Sequence, residues 1–151
     1  LPLLENLTRS NRRHVKLAGD RILASGAKRV AFLGLSFKPG TDDLRGSPLL
    51  DLVEFCLGKG FSVRIHDPGV WPERLVGSNL KHAEERLGHL SDTLVKDAAG
   101  LADQADLFVL GHGVEAFAQI CRGLGKDKQV LDLVGLLKGE DIAATYESLC
   151  G

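Results

Sequence analysis

The 151-residue sequence contains no methionine, one tryptophan, one tyrosine and only three cysteines. The cysteines are Cys56, Cys121 and Cys150, and none belongs to a CxxC pair, which argues against a zinc site and against a disulfide framework. We therefore expect reduced thiols in a cytoplasmic protein, with Cys56 and Cys121 in the core because they fall in apolar helical patterns. The chain lacks an initiating methionine and starts inside a helical pattern, which indicates a fragment of a longer protein.

Long apolar runs are also missing, so we expect no membrane span, and no signal peptide is recognisable. The net charge of −1 gives no indication of nucleic acid or an anionic membrane as a partner. The charge is uneven, because residues 1–30 carry seven lysines and arginines against two acidic residues. Such a basic opening helix indicates an interface or, by default, a solvated face.

Short apolar runs alternate with stretches of helical periodicity along the chain. This alternation predicts an α/β fold, a Rossmann-like and mostly parallel sheet flanked by helices and preceded by a long connecting helix. We assign residues 1–26 to the connecting helix and residues 27–151 to a single domain. The predicted strands are 29–35, 61–66, 94–95, 107–110 and 129–134; the predicted helices are 3–25, 48–58, 97–103, 114–121 and a closing helix at 140–149, with irregular structure and a short helical piece between 70 and 90.

The stretch VAFLGLSFKPGTDDLRGSP, residues 30–48, combines a buried strand, a polar loop and a helix start. Ser47 is a good N-cap, and Pro48 is tolerated at the first helical position because its missing N–H would be unpaired there. In an open α/β sheet, a loop of this kind lies at the carboxyl ends of the strands, where ligands usually bind.

Two cations on this loop, Lys38 and Arg45, are the sharpest candidates for binding residues. Arginine suits a pyrophosphate by bidentate hydrogen bonding, while lysine acts as a point charge or donates to a sugar hydroxyl. The following helix dipole also favours anions. From spacing alone, an equally weighted alternative is that both are solvated loop cations paired with Asp42 and Asp43.

The same loop does not resemble a dinucleotide cradle. It reads GLSFKPG from Gly34 rather than GxGxxG, and Phe37 and Pro39 stand where close approach to a pyrophosphate needs glycine. Asp67, at the end of the second strand, is where such a fold would bind a ribose, but we discount that interpretation for the same reason.

Other polar residues carry weaker signals. Asp42 and Asp43 fit a metal site or an acid/base pair, but adjacent carboxylates rarely face one point, so a structural role is favoured. His112, between two glycines, is placed to touch a ligand at the same sheet edge, although a single histidine is weak support. Asp132 lies in an apolar run and needs a partner if it is buried. We identify no metal-ligand spacing and no catalytic residue in the chain.

The segment LGLSFKPGTDDLRGSP resembles the FKxxTDDxRxSP signature of the UDP-glucose/GDP-mannose 6-dehydrogenase family, at the start of its C-terminal nucleotide-sugar-binding domain. The segments SNRRHVKLA, GKGFSVRIHDPGV, ADLFVLGHGVEAF and VLDLVG follow the order expected for that family. VLGHG and LDLVG resemble the GDP-mannose branch more than the UDP-glucose branch.

The resemblance implies oxidation of the C6 alcohol of a nucleotide sugar, through a thiohemiacetal, to the acid at the expense of two NAD⁺. It places NAD binding mainly in an N-terminal domain and the catalytic cysteine in a central domain, both absent here, so this fragment alone is expected to be inactive. By motif, Lys38 corresponds to the lysine that contacts the nucleotide sugar, and Arg45 to the arginine that reaches NAD. Gly46 replaces the usual acidic residue after that arginine, and Pro39 stiffens the loop.

The expected partners are therefore a nucleotide sugar, the N-terminal and central domains of the same chain, and other copies of the chain in a homo-oligomer. Three alternatives stay open. The first is the UDP-glucose branch of the same family. The second is a nucleotide-binding module without redox function, and the third is an assembly domain in which the basic helix is only an oligomer contact.

Overall fold

The computed structural model describes residues 2–71, 81, 84–85 and 90–149, and for residues 2–8 and 90–91 it describes the backbone alone. Most of the irregular segment predicted between residues 70 and 90 lies outside the described residues. Within them, strands and helices alternate as expected for an α/β fold, which confirms the predicted class.

A parallel sheet of five strands runs through the described residues in the order β2-β1-β3-β4-β5. The chain starts in the interior at β1, steps outward to β2, and then returns past β1 to β3, β4 and β5. The strands are β1 at Arg29–Leu33, β2 at Ser62–His66, β3 at Leu107–Leu110, β4 at Gln129–Asp132 and β5 at Thr145–Ser148.

The helices of the described residues lie between or before these strands. Ser47 caps the second helix, because its Oγ accepts a hydrogen bond from the Leu50 amide at 3.4 Å, and Pro48 occupies the first turn. The helices are α1 at Pro2–Ala24, α2 at Pro48–Gly58, α3 at Leu90–Thr93 and α4 at Glu115–Arg122, with a single 3₁₀ turn at Leu101–Asp103.

Alternate residues of the central strands pack into two cores on opposite faces of the sheet. Phe32 belongs to the face covered by α1 and α2, whereas Phe108 and Phe117 belong to the face covered by α4. Helix α1 docks on α2 at Gly19, where an added Cβ would lie 3.0 Å from the Phe55 ring. Coverage of both faces explains why β1 and β3 read as continuous apolar runs.

Several predicted boundaries need correction. Strand β1 ends at Leu33 instead of residue 35, because Gly34 has a φ of +104° that turns the chain out of the sheet. The helix predicted at 97–103 is reduced to the 3₁₀ turn, which follows a left-handed Gly100. The strand predicted at 94–95 is a single parallel bridge between Leu94 and Ile65.

The closing helix predicted at 140–149 is wrong. Residues Thr145–Ser148 form β5, which pairs in parallel with β4, and β4 is therefore not the last strand. The Thr145 amide donates to the Lys128 carbonyl at 3.0 Å, and the Leu149 amide donates to the Asp132 carbonyl at 3.1 Å. Pairing with the exposed edge of β4 outweighs the local helical preference of this alanine-containing segment.

Candidate functional site

The strand order places a topological switch point between β1 and β3. From β1 the chain leads to α2 on one face, and from β3 it leads to α4 on the other face. The two connections therefore diverge at the carboxyl ends of adjacent strands, which is where open α/β sheets form a ligand crevice. The loop at residues 34–47 carries Lys38 and Arg45, so both predicted binding residues lie at this edge.

A buried carboxylate at the end of β2 holds the start of this loop. Asp67 Oδ2 accepts hydrogen bonds from the Leu35 amide at 2.8 Å and the Ser36 amide at 3.1 Å, and its Oδ1 accepts one from Gly69 at 3.0 Å. The side chain is 2% exposed. Three backbone donors compensate its burial, so Asp67 is engaged by the loop and is not available to a ribose in the manner of a dinucleotide-binding fold.

Hydrogen bonds within the loop fold it back on itself. The Phe37 amide donates to the Asp43 carbonyl at 2.8 Å, which brings the two arms of the loop together. The fully buried Leu44 anchors the returning arm in the core. Lys38 directly follows Phe37, and Arg45 lies two residues after Asp43. The two cations therefore belong to neighbouring stretches of backbone.

The two predicted cations differ in their surroundings. Both side chains are exposed, and among the residues that the structure describes the Lys38 ammonium forms no ion pair. Arg45 donates through Nε to Asp43 Oδ1 at 3.1 Å, and this hydrogen bond raises the pKa of the guanidinium. The alternative of a solvated pair thus describes Arg45 with Asp43, while Lys38 and Asp42 are not paired in the described part of the chain.

His112 lies at this edge but faces inward. Its ring is 4% exposed, its Nε2–H donates to the Ser36 carbonyl at 2.8 Å, and its Nδ1 lies 4.0 Å from Asp67 Oδ2. The ring also stacks on Phe117, with centroids 6.1 Å apart. The histidine that we expected near a ligand therefore contacts the underside of the Lys38 loop.

Asp132 is fully buried at the end of β4, and the structure supplies the partners that the sequence left unnamed. Its carboxylate accepts hydrogen bonds from the amides of Val134, Gly135 and Leu137 and, at 2.7 Å, from the Tyr146 hydroxyl. Burial, and then the bond to Asp132, raise the pKa of Tyr146 to about 12. Asp132 thus has a structural environment that joins the β4 loop to β5.

The described cysteines are unsuited to nucleophilic chemistry. Cys56 and Cys121 are buried free thiols, as predicted, and burial raises the pKa of each to about 12. A thiol with such a pKa holds almost no thiolate at neutral pH. In the part of the chain that the structure describes, no group of three or more metal-ligating side chains is gathered and no helix is long and apolar enough to cross a bilayer.

A groove of about 290 Å³ lies at the amino ends of the strands, between the end of α1 and the starts of β4 and β5. Ala24, Gln129 and Thr145 are among its lining residues. It lies away from Lys38 and Arg45. The loop itself is an open surface, so a ligand held there needs a further wall to enclose it.

Sequence reasoning located the cations but missed the residues that support them. Asp67 was considered only as a strand-end residue and as a ribose ligand, which we discounted, and Ser36 was not singled out. One signal was available in the sequence, because Asp67 and His112 each follow a predicted strand directly, or after a single glycine, and the carboxyl ends of parallel strands share one edge. The inward direction of both side chains depends on the strand order and has no sequence signal.

These features define an α/β domain of Rossmann-like topology with a braced, cation-bearing loop at its switch point. The family model "UDP-glucose/GDP-mannose dehydrogenase family, UDP binding domain" matches residues 31–139, and the chain belongs to this family. The expected family is thereby confirmed.

Similar proteins agree with this assignment. The chain is 40% identical over 149 residues to GDP-mannose 6-dehydrogenase of Pseudomonas aeruginosa, and 30% identical over 149 residues to UDP-glucose 6-dehydrogenase of Rickettsia bellii. These alignments cover 99% and 93% of this chain but only 34% and 32% of those proteins. The chain therefore spans about a third of the length of the curated relatives that it matches.

The fold is shared with solved structures of the same family. A ternary complex of GDP-mannose dehydrogenase from Pseudomonas aeruginosa superimposes with a TM-score of 0.85 at 39% identity, covering 99% of this chain and 34% of that one. A UDP-glucose dehydrogenase from Pyrobaculum islandicum gives a TM-score of 0.62 at 29% identity, covering 95% and 30%.

Proposed function

We propose that this chain is the C-terminal substrate-binding domain of an NAD-dependent nucleotide-sugar 6-dehydrogenase that oxidises GDP-mannose to GDP-mannuronate. The observation that carries the proposal is its likeness to GDP-mannose 6-dehydrogenases over 99% of its length, at 40% identity. The matching UDP-glucose enzyme of Rickettsia bellii is 30% identical. The motif-bearing loop also lies at the switch point of the sheet, the usual ligand edge of such folds.

In this proposal, Lys38 contacts the nucleotide sugar. Its exposed ammonium has no ion-pair partner among the described residues, so binding a phosphate or a sugar hydroxyl breaks no existing charge pair there. Its backbone is fixed, because the Lys38 carbonyl accepts hydrogen bonds from Ser36 Oγ at 2.6 Å and Thr41 Oγ1 at 2.9 Å. A charged group on a fixed backbone loses less conformational freedom when it binds.

Arg45 is proposed to reach NAD bound by a facing domain. Its ion pair with Asp43 is solvent-exposed, with the arginine side chain 63% accessible. Exposed pairs of this kind are weak, so Arg45 is able to exchange the carboxylate for a phosphate at little cost. Gly46, which follows Arg45, has a φ of +70° and open space around it. Glycine adopts this left-handed conformation without strain, so it suits the position where the family usually has an acidic residue.

This domain does not by itself fit NAD in the way that a dinucleotide-binding fold does. Asp67 is saturated by loop amides, and the Cβ side of Gly34 is filled by the His112 ring, 2.6 Å from an added Cβ. Oxidising a C6 alcohol to a carboxylate releases two hydrides, which two NAD⁺ accept when bound. We therefore propose that NAD is held mainly by an N-terminal domain, with the nucleophilic cysteine in a central domain.

The decisive experiment compares GDP-mannose with UDP-glucose as substrates of the whole dehydrogenase, by following NADH formation. We expect a higher kcat/KM for GDP-mannose and no turnover by residues 1–151 alone. A preference for UDP-glucose would select the alternative branch. Turnover by the isolated chain would contradict the assignment of the nucleophile to another domain. Light scattering of the purified dehydrogenase would test the predicted homo-oligomer. Fractionation of cells that produce it would test the predicted cytoplasmic location.

A further inference from the structure

The loop that carries Lys38 is supported from below by a side chain of the neighbouring connection. His112 follows β3 by one residue, and its Nε2–H donates to the Ser36 carbonyl at 2.8 Å in an environment where the ring is 4% exposed. A backbone carbonyl only accepts, so this contact fixes the proton on Nε2. Because a buried hydrogen bond of this type is costly to leave unmade, the His112 donor favours the observed position of the Ser36 carbonyl.

The His112 ring is itself held in place on two sides. It stacks on Phe117 at an interplanar angle of 27°, and it fills the space beside Gly34, where an added Cβ would lie 2.6 Å from Cγ of the ring. Helix α2 closes over the same connection, because an added Cβ on Gly111 would lie 2.6 Å from the Leu49 side chain. Such close packing leaves the ring no alternative position without movement of its neighbours.

The position of Ser36 is passed directly to Lys38. Ser36 Oγ donates to the Lys38 carbonyl at 2.6 Å, and the Ser36 amide is bound to Asp67 Oδ2 at 3.1 Å. A continuous series of contacts therefore runs from His112 through Ser36 to Lys38. Removing the donor on His112 would leave the Ser36 carbonyl buried without its partner, and the loop would move to expose that carbonyl to water.

We propose that His112 is a positioning residue for Lys38, which sets the affinity of the site for the nucleotide sugar without touching the ligand. This inference rests on the proposed function, because it takes Lys38 as the residue that binds the sugar nucleotide. In this role the histidine of the β3–α4 connection acts through the Ser36 backbone, whereas a ligand-contacting histidine would act on the ligand directly. Its influence should fall on the nucleotide sugar and not on NAD.

The test uses the whole dehydrogenase and a matched pair of variants, His112→Met and His112→Gln. The two side chains have nearly the same length and volume, but only glutamine retains an N–H donor for the Ser36 carbonyl. We expect His112→Met to raise KM for the nucleotide sugar about tenfold or more, as misplaced binding groups do, with KM for NAD unchanged. His112→Gln should restore most of the lost affinity. His112→Leu, which also lacks a donor, serves as a second variant if methionine prevents folding.

Combining His112→Met with Lys38→Ala separates this inference from the function on which it rests. If His112 acts through Lys38, the double variant should have the same KM for the nucleotide sugar as Lys38→Ala alone. A Lys38→Ala variant with unchanged KM would overturn the proposed site itself. If Lys38→Ala raises KM while His112→Met does not, or if methionine and glutamine behave alike, the site stands and the positioning role of His112 is refuted.

Discussion

Buried carboxylates at the ends of β2 and β4 are each satisfied mainly by backbone amides. Asp67 accepts hydrogen bonds from three amides, and Asp132 accepts three amides and the Tyr146 hydroxyl. In both cases the amides belong to connections at the carboxyl ends of the strands. Each carboxylate therefore fixes the backbone of the connection that it binds. The free energy lost on removing it grows with the number of amide donors that are left buried without an acceptor.

Replacing Asp132 with asparagine should destabilise the protein more than removing its tyrosine partner. Asparagine replaces one carboxylate oxygen with an NH₂ group, which donates and does not accept. This group then faces donors at either position: the Tyr146 hydroxyl and the Leu137 amide, or the amides of Val134 and Gly135. We expect Asp132→Asn to lower the free energy of unfolding by about 2 kcal/mol and Tyr146→Phe by about 1 kcal/mol. Urea denaturation of the two single variants and the double variant measures both, and equal losses would contradict this account.

The single tyrosine also offers a direct titration of this contact. Burial and the bond to Asp132 raise the pKa of Tyr146 to about 12, above the ordinary value of about 10. Because the native state favours the neutral phenol, its stabilising contribution is complete below about pH 10 and is lost as pH rises through the native pKa. Phenolate absorbance of the 151-residue chain, followed alongside circular dichroism, should show a raised midpoint. A midpoint near the ordinary value while the fold persists would contradict the contact.

At the scale of elements, the connection from β1 to α2 depends on a glycine at its first position. Gly34 has a φ of +104°, and an added Cβ would meet the His112 ring at 2.6 Å. Gly46, in the same loop, also has a positive φ but has open space around it. Alanine at position 34 therefore meets both backbone strain and a clash, whereas alanine at position 46 meets strain alone.

We expect Gly34→Ala to destabilise the protein by about 2–4 kcal/mol and Gly46→Ala by about 1 kcal/mol. Thermal unfolding of the two variants measures the difference, with Gly46→Ala as the matched control. Comparable midpoints for both would mean that the His112 ring moves aside freely. That result would also weaken the positioning role proposed for this ring.

The same elements show how far sequence patterns determine this fold. The apolar runs of β1 and β3 and the capped start of α2 were predictable, because burial on both faces and a Ser-Pro start are local signals. Strand β5 was not, since its state is decided by pairing with β4 and by the Tyr146–Asp132 bond. Neither contact has a local signature, and the segment's own preference is helical.

The site was predictable to a similar extent. A strand followed by a loop and a helix places Lys38 and Arg45 at the carboxyl edge of any parallel sheet, so their location followed from periodicity. The pairing of Arg45 with Asp43 was one of two open alternatives, and the loop conformation shows that this pair forms, while the binding role of Arg45 stays a prediction. The inward direction of His112 depends on β3 being next to β1, an order that the sequence does not specify.

For the whole molecule, the open position of the loop has a consequence for how its two cations divide their roles. Lys38 and Arg45 lie on an exposed edge, so a ligand bound there is enclosed only if something outside this domain covers it, as the proposed function requires. If Lys38 faces the nucleotide sugar and Arg45 faces NAD across that interface, alanine at each position should affect a different substrate. We expect Lys38→Ala to raise KM for the nucleotide sugar and Arg45→Ala to raise KM mainly for NAD.

Steady-state kinetics of the whole dehydrogenase, with each substrate varied in turn, measures this division. Lys126→Ala is a suitable control, because Lys126 is an exposed cation in the turn before β4, at the amino edge of the sheet, and its loss changes the net charge equally. Long-range electrostatic effects would appear in all three variants and diminish with added salt, whereas a direct contact would persist. Unchanged KM values for both substrates in Lys38→Ala and Arg45→Ala would remove this loop from the site. An effect of equal size in Lys126→Ala would reduce the role of the loop cations to overall charge.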